Sequence, residues 1–167
     1  PSDTSKGDAS NATESASSNL KDDGKVLNIY CWNEEFKSRI TAHYPDYKEV
    51  DATHGKIGDV DVVWNITPSD DNAYQNNLDA ALLNQQDAPA DDKIDIFLVE
   101  ADNALKYVDT DYTAPVKDLG ITDADLSKQY QYTKDIVTDS KGVLKGVSWQ
   151  GCPGVLFYNR EAAKDVL

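Results

Sequence analysis

Three observations predict an α/β fold. Apolar runs of strand length at 26–31, 60–66 and 94–99 alternate with segments of helical period. That alternation argues for a mainly parallel sheet with helices on its faces and right-handed crossovers. The first and third runs, VLNIYC and IDIFLV, are nearly continuous in apolar residues, as strands covered on both faces are. The length, 167 residues, suits one domain of ordinary size.

Residues 1–24, PSDTSKGDASNATESASSNLKDDG, form a different material: Ser, Asp, Ala and Thr dominate, and Leu20 is the one large apolar side chain. Such a segment buries too little surface to offset its ordering entropy, so it reads as a flexible tether or leader. The first strand then runs from Lys25 and stops at Trp32-Asn33. Asn33 suits a helix cap, and Glu34 and Glu35 put negative charge at the positive end of the helix dipole. That helix spans about 34–44, with Phe36, Ile40 and Tyr44 on one apolar face and Pro45 as its stop. Gly55 and Gly58 bracket a turn. In the next strand Val60, Val62, Trp64 and Ile66 share a side, which makes Trp64 a core residue.

Thr67-Pro68-Ser69-Asp70-Asp71 is a helix start with Ser69 as its cap. Tyr74, Leu78, Ala81, Leu82 and Gln85 mark the inward stripe. QQDAPADDK at 85–93 is a polar loop, and Ile94–Val99 is the cleanest buried strand. Asn103–Val108 reads as a short helix with Leu105 and Val108 turned inward. Beyond it the pattern changes: Thr122 and Asp125 form a capping signature, and Asp139–Gly142 turns between two short apolar pieces as a β-ribbon would. Val147–Gln150 and Gly154–Tyr158 read as extended pieces, and Asn159 starts a last helix that reaches Leu167. An apolar helix face there needs cover, so the expectation is either that a second lobe follows or that the chain is a fragment.

Sixteen basic against 30 acidic residues give a net charge of -14. This excludes a phosphate-tracking nucleic-acid binder and disfavours adhesion to anionic lipid. No apolar run approaches the ~18 residues of a membrane span. Two cysteines, Cys31 and Cys152, define no framework, and a bond between them stays open because it needs aligned Cβ positions. His43 and His54 stand apart, so no metal site and no cofactor is expected. Asn11-Ala12-Thr13 and Asn65-Ile66-Thr67 match a glycosylation sequon, a cheap match.

The chain has no GxSxG elbow, HExxH or P-loop, and no Gly-rich phosphate fingerprint after the first strand. With so many acids, a pair such as Glu34 and Glu100 is expected by chance rather than as glycosidase machinery. No enzyme is therefore expected. Ligands of open α/β sheets dock where strands end. Those ends offer Trp32, Asn33, Glu34, Glu100, Asp102, Trp149 and Gln150. Indole faces stack on sugar rings while carboxylates and amides pair with hydroxyls; two acids near tryptophan would also suit a cation. Singly, each side chain is equally explained as a solvated acid, a helix cap or a packed indole.

Four segments, VLNIYCWNEEF (26–36), TPSDDNAYQNNLDAALL (67–83), DDKIDIFLVEADNALKYV (91–108) and GVLKGVSWQGCPGVLFYNREAAKDVL (142–167), together resemble a family 1 extracellular solute-binding protein. Members of that family are lipid-anchored sugar receptors of bacterial ABC importers. The resemblance implies a lobe of the type II periplasmic-binding-protein fold: residues 25–149 as a first lobe that later chain completes, and 150–167 as the hinge crossing into a second. It further implies a two-lobed clamp closing on a carbohydrate, with Trp32, Asn33, Glu34, Glu100, Asp102, Trp149 and Gln150 as ligand-binding residues. The partners implied are the permease subunits of the importer. The location implied is the outer face of the cell membrane or the periplasm, with the leader as tether behind a lipidated cysteine. Family members are more than twice this length. The competing expectations are an acidic surface adhesin or interaction module, and a glycosidase-like enzyme.

Overall fold

A computed structural model describes residues 24–151, 154 and 157–164. The leader (bar Gly24) and Cys152 lie outside the described residues. The chain folds as α/β: strands β1 (Val26–Cys31), β2 (Tyr47–Glu49), β3 (His54–Ile57), β4 (Val60–Ile66) and β5 (Ile96–Phe97) form one sheet in the order β2-β3-β4-β1-β5. β1 is central and pairs in parallel with β4, from Val26 opposite Asp61 to Cys31 opposite Ile66, and with β5, where Tyr30 faces Phe97. β2 and β3 extend the sheet antiparallel on the β4 side, a hairpin in a stretch the sequence reads only as turn.

β1 is apolar at every position but Asn28 because both its faces are covered. Side chains alternate along a strand. Ile29 and Cys31 enter a core with Phe36, Val62, Trp64 and Leu98, while Tyr30 meets Tyr74, Leu78, Leu82, Ile94 and Tyr107 on the opposite face. Helix α1 (Glu34–His43) supplies Phe36 to the first core, and α2 (Ala73–Leu83) supplies Tyr74, Leu78 and Leu82 to the second. Trp64 is buried, as its place in the strand period requires. Tyr74 links the layers: its hydroxyl donates to the Leu98 carbonyl at 2.6 Å and the Tyr30 carbonyl at 3.2 Å, at the ends of the two parallel strands.

Several sequence expectations are corrected. On α1, Ile40 and Tyr44 are exposed; the buried positions are Phe36 and Lys37, whose ammonium donates to the Ala52 carbonyl at 2.6 Å. Ser69 makes no cap bond. Asp71 and Asn72 take left-handed φ of 50° and 60°, a conformation short polar side chains tolerate, and α2 begins only at Ala73. The strand expected to be buried over Ile94–Val99 pairs only at Ile96–Phe97 and leaves Ile96 exposed; at its start Gln85 takes both backbone groups of Ile94. Leu105 is exposed, and α3 (Leu105–Val108) buries Tyr107 and Val108, its anchor being the Tyr107 hydroxyl on the Asp79 carboxylate at 2.9 Å.

The Thr122–Asp125 capping bonds form, yet only turns follow them; the helix of this region, α4, spans Gln131–Asp135. The expected ribbon reduces to a single antiparallel bridge between Thr138 and Leu144, closed by Gly142 at φ 79°. Val147–Gln150 is bend and coil rather than strand, and only turns follow Asn159 among the described residues. No helix among the described residues is long and apolar enough to cross a membrane.

Candidate functional site

β1 and β5 run parallel and in register, so the residues that follow them emerge on one edge of the sheet. Trp32 lies two residues past Tyr30, and Glu100 three past its partner Phe97. The indole of Trp32 is half-buried: it packs on both cores and meets Tyr74 edge-on, with centroids 5.5 Å apart. Trp149 arrives at the same edge from far along the chain. It too is half-buried, edge-on to Phe36 in the first turn of α1 at 5.3 Å, and it packs on the core that Trp32 also touches. Both indoles therefore combine an anchored side with an accessible one.

Asn33 has extended backbone (φ -156°) and caps α1, its Oδ1 accepting from the Glu35 amide at 2.9 Å. That bond occupies the carbonyl oxygen with a structural task. Glu34 is exposed and turns outward along α1, where it lines a concavity of about 340 Å³ with Lys37, Ser38, Thr41, Ala42 and Glu49. Glu100 and Asp102 are exposed after β5, and Asp102 Oδ1 accepts from the Asn103 side-chain Nδ2 at 3.3 Å. Gln150 is exposed, its backbone carbonyl accepting from Ser148 Oγ at 3.1 Å. Sheet topology thus collects Trp32, Asn33, Glu100 and, through Phe36, Trp149 at one edge. Glu34 faces elsewhere.

A second shallow concavity, about 330 Å³, is lined by Val50, Asp51, His54, Gly55, Lys56, Asp61 and Val62. Neither concavity is lined by Trp32 or Trp149. The chemistry of the indole edge is that of a platform: two aromatic faces beside exposed carboxylates. The one thiol described there, Cys31, is free and fully buried, and burial pushes its pKa up, which makes it inert packing. No group of three His, Cys, Asp or Glu among the described residues is placed to hold a metal ion.

Sequence reasoning missed the Tyr47–Trp64 pair, in which the indole donates to the Tyr47 hydroxyl at 3.1 Å, and the aromatic residues 130 and 132 described below. Tyr47 follows Pro45 outside any recognisable period, so its strand leaves no signature in the pattern. Compared with protein-family models, with curated proteins and with solved structures, the chain gives no match.

Proposed function

We propose that the chain is a lobe of a type II periplasmic-binding-protein fold, acting as an extracellular receptor that captures a carbohydrate for an ABC importer. The observation that carries this reading is the placement of two half-buried indoles, Trp32 and Trp149, on the strand-end edge where Glu100 also emerges. An indole fixed on one side and open on the other presents a rigid face to a sugar ring at little entropic cost. The carboxylates of Glu100 and Asp102 accept from sugar hydroxyls, and Gln150 both donates and accepts. No covalent step is part of this reading. The described residues supply one wall of the site, and a facing lobe would supply the other by hinge closure. Delivery to permease subunits and attachment through a lipid anchor rest on the family resemblance.

A second reading, an acidic interaction module, is favoured by large apolar side chains left in solvent on α2 and α3, Leu83 and Leu105. Thermal unfolding against a panel of saccharides and polyamines separates the two. A receptor gains thermal stability with a saccharide by mass action and leaves it chemically unchanged. Absence of any shift across the panel contradicts the receptor reading, and turnover of the saccharide makes the protein a glycosidase.

A further inference from the structure

Tyr130 and Tyr132 are the one stacked aromatic pair among the described residues, with centroids 5.8 Å apart and planes at 17°. Both are largely in solvent, 72% and 51% exposed. The pair forms because Tyr130, extended at φ -65° and ψ 141°, precedes α4, of which Tyr132 is the second residue. Neither ring is spent on the core, whereas every other aromatic pair described includes a ring packed on one of the two cores.

This pair is joined to the segment that carries Trp149. Gln129 Nε2 donates to the Ser148 carbonyl at 2.8 Å. A Cβ placed on Gly151 would lie 3.1 Å from the Tyr132 hydroxyl oxygen, so that hydroxyl rests against the backbone two residues beyond Trp149. Two residues span at most about 7 Å of backbone. The Oε1 of Gln129, at this junction, is buried and has no hydrogen-bond partner. The tyrosine pair therefore adjoins the backbone segment that carries Trp149.

We infer that Tyr130 and Tyr132 form an outlying ring-stacking subsite, so that the ligand is an oligosaccharide whose first ring meets the indoles and whose later ring meets the tyrosines. This rests on the carbohydrate reading above and narrows its substrate class. Phenol rings accept the apolar face of a sugar as indoles do, and hydroxyl groups at their rims pair with ring substituents. A monosaccharide is too short to use both surfaces.

The test is calorimetric titration of the full protein with gluco-, xylo- and manno-oligosaccharides of one to six rings. Affinity rises with length in the matching series, and Tyr130→Ala removes about 2- to 10-fold of affinity for the longer members while leaving the monosaccharide unaffected. Tyr130→Phe, which keeps the ring and loses only the hydroxyl, retains most of that affinity and controls for folding. Equal affinity of Tyr130→Ala and the parent for every length overturns the subsite and leaves the indole site standing. Equal losses for one ring and for six also overturn it, since they show a general structural effect. Binding of no saccharide at all overturns both readings together.

Discussion

Asp51 holds its loop through a single carboxylate. Its Oδ1 accepts from the backbone amides of Thr53 at 2.8 Å and His54 at 2.9 Å, and the His54 ring nitrogen Nδ1 lies 2.9 Å away. The Thr53 amide and the His54 side chain are the main causes that lower its pKa to about 2. A carboxyl whose pKa falls on folding stabilises the fold above its unfolded pKa, and that contribution disappears as pH falls through the folded one. The Tm difference between the parent and Asp51→Ala is therefore steady above about pH 4.5 and closes between pH 4 and about 2. A gap that persists unchanged at pH 2 contradicts this. Tyr74 gives a second prediction at this scale. Tyr74→Phe removes the hydroxyl that bonds both strand-end carbonyls and costs about 1 kcal/mol in denaturant unfolding.

Between elements, one amide does what a longer strand would otherwise do. Gln85, just past α2, donates through Nε2 to the Ile94 carbonyl and accepts at Oε1 from the Ile94 amide, both at 2.9 Å. Gln85→Ala leaves two groups of a buried residue unpaired and is expected to cost about 2–3 kcal/mol; a loss under about 0.5 kcal/mol would show that water replaces the amide. Gly55 in β3 is buried under the Tyr47 ring, and a Cβ there would overlap it. Gly55→Ala therefore displaces Tyr47, breaks its bond with the Trp64 indole, and costs about 1–3 kcal/mol. The three parallel strands and the first two helices were legible from period and apolar runs, although Val60 in the second run and Ile96 in the third are exposed rather than buried. The β2–β3 hairpin was not: Tyr47-Lys48-Glu49 and His54-Gly55-Lys56-Ile57 are too short and too polar to show alternation. The face of α1 was misjudged for a related reason. Period assigned Phe36, Ile40 and Tyr44 inward; packing kept Phe36 and took the stem of Lys37 in place of the other two. Of the proposed site, Trp32, Asn33 and Glu100 were placed by the rule of strand ends, whereas the approach of Trp149 to Phe36 is a contact across more than a hundred residues that no local pattern encodes.

At the scale of the molecule, a net charge of -14 keeps the surface acidic, and under the proposed receptor reading a neutral hydroxyl-rich ligand would be held by stacking and hydrogen bonds rather than by charge. Saccharide affinity is accordingly expected to change less than twofold between about 0.05 and 0.5 M salt, while a polyamine held by the same acids would weaken steeply. The chain provides its own internal reference for the central claim, because its three tryptophans divide into two at the strand-end edge and one, Trp64, sealed in the core. The most direct measurement is an NMR titration of the three indole N–H resonances with the saccharide that shifts Tm. The account predicts saturable movement of the Trp32 and Trp149 signals with Trp64 unmoved. Saturable binding that leaves Trp32 and Trp149 in place would contradict it.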